Sequence, residues 1–462
     1  MANILELLQK LDTNQKDILI SKIEKDGQKY NLFPLSLAQE RLWFISKFNP
    51  NSTAYNIPTA LRIKGNFDLA VFEKSFQYLI DRHEVLRTSI IEIKDKAYQY
   101  IVNHLEFEYT LINVRKSKEE LKDEKDIQNL IYKESQCLLN FAQSPLLRVT
   151  VFRINEDEHI ILLVIHHIIS DGWSINVIIK EFSSIYNSFI NQQNPILPEL
   201  KIQYADFSVW QRNWLQSEEA KSQLSFWSNH LKKSEYSLNL PYDFEFSNSE
   251  RGPLKSIVKN IKIEKLNLIR TKLGTKEISD FMILLSAYNI LLSIYCQQDE
   301  FIIGLPIANR NKLSTENVLG LFINTIVIKQ EKISLKSVKE LFLNIKEFTV
   351  NAFSNQDLPF EKLVEEIQPV RNLKKTPIFQ TMFSFQNFGK NKIEFENLVI
   401  ENYPTYLEDS KFDLILNSGK INPNEYQLSF EYDSNLFKEN TIIRIANSFE
   451  KLINILPSVI NN

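Results

Sequence analysis

Apolar residues recur with a changing period along the chain, and the changes mark its elements. From Ile4 to Ile23 the spacing is helical, which predicts one or two short helices, or a linker, ahead of the first compact body. Pro34 is followed by Ser36-Leu37-Ala38-Gln39, a capping box whose side chains satisfy free backbone N–H groups. A helix therefore starts there and runs through Arg41, Leu42, Trp43 and Phe44 until Asn49-Pro50 ends it. Alternation from Tyr55 to Ile63 predicts a strand. Asp68 caps a helix that buries Phe72, Phe76, Leu79 and Ile80, and Leu86 to Ile93 is strand again.

A charged helix near Lys118 to Leu139 precedes two apolar runs, Leu146 to Ile154 and His159 to His167. They flank the polar turn Asn155-Glu156-Asp157-Glu158 and predict a β-hairpin. The second run closes on two histidines and a short loop. Ser174 then opens a helix with apolar residues Ile175, Ile178, Ile179, Phe182, Ile185, Tyr186 and Phe189, so polar side chains gather at the carboxyl end of a strand. Pro195 and Pro198 make the clearest break, because proline removes a donor and restricts its predecessor. This predicts a helical or linker segment over residues 1–30, an N-terminal lobe over 31–197 and a C-terminal lobe over 198–462. The second half repeats the mixture. It predicts helices near Ser279 to Tyr295, Val338 to Phe353 and Phe360 to Ile367, with strands at Glu300 to Ile303, Phe379 to Phe385 and Tyr426 to Tyr432.

A length of 462 residues suits two such bodies. A hydrophobic share of 44% and a charged share of 24% are those of a globular protein and exclude disordered, collagen-like and coiled-coil classes. The formal net charge of -3 provides no field to attract nucleic acid or an anionic membrane. Charges interrupt the apolar residues of the N-terminus, so neither a signal-peptide core nor a membrane span is expected and the chain is placed in the cytoplasm. Cys137 and Cys296 lie far apart without a CxxC partner, which predicts buried core thiols in place of a disulfide or a zinc site.

Candidate chemistry concentrates in Val164-Ile165-His166-His167-Ile168-Ile169-Ser170-Asp171-Gly172-Trp173-Ser174. The chain has only six histidines and nine glycines, so His-His-x-x-x-Asp-Gly is a specific match for so short a motif. A neutral imidazole can take a proton from an attacking amine, and a loop at a strand end can project it into a cleft. Neighbouring strand side chains point to opposite faces, so His167 is the candidate and His166 the buried partner. Adjacent histidines do not converge on one ion and no third ligand is spaced nearby, so no metal is expected. Gly172 leaves room for a substrate to approach the backbone.

His166-His167-x-x-x-Asp171-Gly172 resembles the signature of nonribosomal peptide synthetase condensation domains, within the chloramphenicol acetyltransferase-like superfamily. Ser36 to Phe44 is similar to the family's first core motif, Arg82 to Thr88 to its second, Tyr204 to Gln211 to its fourth, Ile303 to Arg310 to its fifth and Gly320 to Thr325 to its sixth. One departure stands out: the seventh motif usually opens His-Gln-Asp, whereas this chain has Asn355-Gln356-Asp357.

The resemblance implies an α/β fold of two chloramphenicol acetyltransferase-like lobes, with mixed sheets and flanking helices. They would form a V-shaped pseudo-dimer with a tunnel entered by carrier arms from both sides. His167 would act midway, deprotonating or positioning the acceptor amine or stabilising the tetrahedral intermediate. His166, Gly172 and a pair between Asp171 and Arg310 would support it, the pair tying one lobe to the other, and Trp173, Ser174 and Asn324 are candidates for the substrate channel. Substrates would arrive on phosphopantetheine arms of an upstream donor and a downstream acceptor carrier domain, beside an adenylation domain. No permanently bound cofactor is implied, and the excised chain would be a monomer. The first motif is similar to that of domains taking an L-configured donor and an L-acceptor. Two rival functions are a coenzyme A-dependent acyltransferase, which shares the His-x-x-x-Asp core, and a silent condensation-like domain that recruits another protein. The intact histidine pair disfavours the silent form.

Overall fold

The computed structural model describes residues 31–114, 124–232, 236–245, 251–369, 376–386, 395–405 and 410–460, with isolated positions at 11–12, 15–16, 18, 22 and 234. The helices expected between Ile4 and Ile23 lie outside these residues, isolated positions apart, as does the start of the charged helix. The chain forms two compact α/β units, each with its own mixed sheet.

The first unit holds a five-stranded sheet ordered Val399–Tyr403, Asn56–Lys64, Glu158–His166, Leu147–Asn155, Thr110–Asn113. Only the last pair is parallel. The expected hairpin is there, its strands paired from Leu147↔Ile165 to Asn155↔Glu158. Glu158–His166 is the central strand, and from His159 to His166 every residue is buried. A strand covered on both faces reads as a continuous apolar run, which is why this segment does not alternate. On one face Ile160, Leu162 and Val164 pack with Ala60, Phe152, Tyr403 and the helical residues Ile127 and Ile131. On the other, His159 lies beside Phe67, which stacks on Tyr186 of helix Gly172–Ile190. That helix packs on Leu69–Arg82 through Phe72, Phe76 and Phe182. A smaller sheet, Leu32–Pro34, Lys96–Ile101 and Thr88–Ile93, completes the unit.

The second unit is built on a six-stranded sheet ordered Asn324–Gln330, Phe301–Ile307, Thr381–Gln386, Leu414–Asn422, Glu425–Asp433, Leu254–Lys262. Thr381–Gln386 runs parallel to both neighbours and the other pairs are antiparallel. Its helices include Asp280–Cys296, apolar on nearly every side and deeply buried, and the long Glu439–Val459. Cys296 is a core thiol as expected, whereas Cys137 of the first unit is only half-buried.

The division differs from the one drawn at Pro195 and Pro198. The first unit continues through helix Tyr204–Trp214 to Gln216, then takes in Arg310–Phe322 and the strand Val399–Tyr403. Strand pairing decides this: Val399–Tyr403 bonds to Asn56–Lys64 in five residue pairs, from Val399↔Lys64 to Tyr403↔Ala60.

In the second unit His230, on helix Glu218–Leu231, stacks on Phe348 of helix Val338–Ser354 with ring centroids 4.2 Å apart. Burial, helped by Lys329, pushes its imidazole down to about 4 from an ordinary 6.5. Because the folded form resists a proton that the unfolded chain accepts, this group's stabilisation is complete above pH 6.5 and is lost as the pH falls toward 4. His230→Phe, which keeps the stack, should flatten the dependence of melting temperature on pH across that window. An unchanged slope would show that His230 titrates freely.

Candidate active site

His166 ends the central strand and His167 opens a single 3-10 turn, His167–Ile169. The ring of His166 is buried edge-on against Phe141, and its Nδ1 accepts the N–H of Ile168 at 3.0 Å. That bond places the neutral imidazole's proton on Nε2. His167 is half-buried. Its backbone is held at both ends, with its N–H on the Tyr55 carbonyl at 2.8 Å and its carbonyl accepting the Ser170 N–H at 3.2 Å. One histidine therefore supports the turn that carries the other.

Asp171, expected in an irregular loop, is the N-cap of helix Gly172–Ile190, which begins two residues ahead of the Ser174 start read from sequence. Its Oδ1 accepts the Ser174 N–H and hydroxyl, each at 2.8 Å, and its Oδ2 accepts the Phe322 N–H at 3.0 Å. Arg310 meets the same carboxylate, Nη2 lying 3.2 Å from Oδ1, and both side chains are almost wholly buried. The contact is made by one nitrogen and is not the two-armed fork that arginine can form. Nη1 turns away to the carbonyls of Thr315 and Val318, at 2.5 and 2.6 Å. Burial pulls the guanidinium below its ordinary pKa and Asp171 pushes it back. The pair forms as expected, but both partners lie in the first unit, so it does not tie one lobe to the other.

Segment Arg310–Phe322 thus folds over the start of the site helix. Ser174 Oγ accepts from Arg310 Nη2 at 3.0 Å and from the Gly320 N–H at 3.1 Å, and Trp173 Nε1 donates to the Glu316 carbonyl at 2.8 Å. The Phe322 ring covers the guanidinium at 4.1 Å. Gly320 has φ +156°, and a Cβ there would lie 2.0 Å from the Tyr204 ring, so no other residue fits without displacing Tyr204. Gly172 is the opposite case: it is exposed, and an added Cβ would meet nothing within 4 Å.

Three of the expected site residues are therefore occupied within their own units. Trp173 and Ser174 fasten the helix start to Arg310–Phe322. Asn324, in the second unit, donates to the carbonyls of Gln356 and Leu358 and accepts the N–H groups of Thr325 and Phe360. With both amide protons and its oxygen engaged, the Asn324 side chain is a bracket for the seventh-motif loop. The second motif reaches the site helix from further along. His83 Nε2 donates to Glu181 at 2.7 Å and Arg82 Nε at 3.1 Å. Burial keeps the His83 imidazole below its ordinary pKa even beside that carboxylate. Burial alone would raise Glu181, but these partners hold it low. Sequence reasoning did not see Tyr204, Thr315, Val318 or Gly320 as site-building residues, because Thr315 and Val318 act through backbone carbonyls, and Gly320 and Tyr204 through a close approach between distant segments.

A family model described as Condensation domain matches residues 29–458. Gramicidin S synthase 2 of Brevibacillus brevis is 34% identical over 446 residues, covering 94% of this chain and 9% of that protein. Bacitracin synthase 3 of Bacillus licheniformis is 33% identical over 446 residues, covering 94% and 7%. The chain thus spans less than a tenth of the length of these relatives. Among solved structures, the X-domain from teicoplanin biosynthesis superposes with a TM-score of 0.82 at 20% identity, over 93% of this chain and 95% of that one, and so shares the fold. With a matching family model across nearly the whole chain and mixed α/β units of the expected kind, this protein belongs to the condensation-domain family of nonribosomal peptide synthetases and has its chloramphenicol acetyltransferase-like fold.

Proposed function

We propose that this chain joins a donor acyl or peptidyl group to the amine of an acceptor aminoacyl group, both carried as thioesters on phosphopantetheine arms of neighbouring carrier domains. The observation that carries this reading is the turn-held, partly buried imidazole of His167 at the end of a buried strand, four residues ahead of the Asp171 cap that pairs with Arg310. The acceptor nitrogen attacks the thioester carbonyl, the C–S bond breaks, the donor arm leaves as the thiol, and the amine gives up a proton. An imidazole beside the nitrogen can take that proton or hold the tetrahedral intermediate. The setting is a cytoplasmic assembly line with an adenylation domain alongside, and the chain acts without a resident cofactor.

The test mixes the chain with loaded donor and acceptor carrier proteins and follows each by intact mass. The acceptor carrier should gain the mass of the donor acyl group, and an L-configured donor should outpace its D-epimer in a single turnover, as the first motif's likeness to L-donor domains suggests. Equal product from coenzyme A thioesters without carriers would make the chain a coenzyme A-dependent transferase. Carrier binding without product would make it a recruitment domain.

Gly172 offers a separate check. Nothing in its surroundings or backbone requires glycine, so Gly172→Ala should raise stability by about 0.4–1 kcal/mol through the unfolded state. A bulkier Gly172→Leu should fold equally well and still raise the KM for a loaded carrier, because the space beside residue 172 is where the arm passes. An unchanged KM in Gly172→Leu would remove the arm from that place.

A further inference from the structure

The capping box accounts for only part of what Gln39 does. Its Oε1 accepts the Ser36 N–H at 3.1 Å, as the box requires, but its Nε2 donates to the Ile168 carbonyl at 3.0 Å and to Gln99 Oε1 at 3.3 Å. Ile168 is the middle residue of the His167–Ile169 turn, and Gln39 is wholly buried. We propose that Gln39 is a positioning residue for His167, fixing the turn that carries the imidazole by holding the Ile168 carbonyl. This deepens the function proposed above and rests on it.

Bond bookkeeping shows why the amide cannot let go. Both Nε2 protons are committed, and turning the amide over would set its oxygen against two acceptors. Gln39 is itself held on both sides. Gln99 Nε2 donates to the Pro34 carbonyl and to Ser208 Oγ, both at 2.9 Å. Tyr204 gives its proton to the Leu321 carbonyl at 2.8 Å, so the 2.8 Å contact between Ser36 Oγ and Tyr204 must be donated by Ser36. The residue after Leu321 is Phe322, whose N–H meets Asp171. Buried hydrogen bonds and two backbone steps thus run from the His167 turn through Gln39, Ser36 and Tyr204 round to the N-cap of the site helix. The backbone bonds of the turn come from its own flanks and from Tyr55, whereas Gln39 brings it a side-chain hold from a distant element. A reacting group displaced by about 1 Å can cost on the order of a hundredfold in rate.

The test uses the full chain with loaded carriers. Gln39→Met keeps the shape and removes both donors. It should lower kcat by roughly ten- to a hundredfold, leave KM for either carrier within about twofold, and shift the His167 resonance of histidine-labelled protein, assigned through His167→Ala. Gln39→Glu should recover part of the lost kcat, because burial keeps such a carboxyl protonated and its O–H can donate to Ile168. Ser75→Ala, which removes a buried hydroxyl outside this network, bonded to the Val71 carbonyl, should lower the melting temperature without moving kcat or the resonance. Wild-type kcat in Gln39→Met, no recovery in Gln39→Glu, or an equal kcat loss in Ser75→Ala overturns the assignment. A dead His167→Ala beside an active Gln39→Met fails this inference alone, whereas an active His167→Ala fails the reading of the site on which it rests.

Discussion

His167→Ala should lower the rate of amide formation between loaded carriers by about a hundredfold or more, the usual worth of a positioned proton-transfer group, while the fold stays intact. His167 is only partly buried, and the turn beneath it is tied through its backbone, so removing the ring leaves those bonds in place. His166→Ala should behave in the opposite way. It removes the Nδ1 acceptor for the Ile168 N–H and opens a hole beside Phe141, so the first loss is stability. Single-turnover rates at matched carrier loading, read with melting curves, separate the two. Wild-type turnover by folded His167→Ala would falsify the assignment.

The second large effect concerns Asp171 and Arg310. Removing one partner of a buried ion pair typically costs about 3–5 kcal/mol, because the other charge stays in a dry site. The two losses should be unequal. Asp171→Ala also forfeits the helix cap, both Ser174 bonds and the Phe322 N–H contact, and leaves a buried guanidinium with neutral partners only. Arg310→Ala leaves the carboxylate three protein donors, so it should be the milder change. The double variant should be less damaged than the two single effects summed, as expected for residues in contact. Strict additivity in urea denaturation would show that the pair does not act as one unit.

What could be read in advance followed from local rules. The Ser36/Gln39 capping box, the hairpin closing at Asn155 to Glu158 and the Asp68 cap depend on residues a few positions apart, and all are present. The need of Asp171 for a cation was legible too, because a buried carboxylate demands one. The start of the site helix was not. Asp171 and Ser174 are both good caps, and the choice falls to Asp171 because the Ser174 hydroxyl is taken up by Asp171, Arg310 and Gly320. Nor was the bracket role of Asn324, since three of its four partners lie in backbone more than thirty residues away that no spacing rule brings near it. Where a contact joins segments distant in sequence, only the finished fold selects it.

The strand Val399–Tyr403 carries such a contact into the life of the protein. During synthesis Asn56–Lys64 leaves the ribosome long before the strand that covers its outer edge, and Asp171 emerges before Arg310 exists. Until then the nascent first unit has a sheet edge with unmet backbone groups and a carboxylate with no counter-charge, a state that invites misassociation. The same interleaving limits recombination between synthetases. A crossover near Gln216 would splice a first unit to another parent's Arg310–Phe322 and Val399–Tyr403. Chimeras that take all three pieces from one parent should therefore outlive those that inherit them separately.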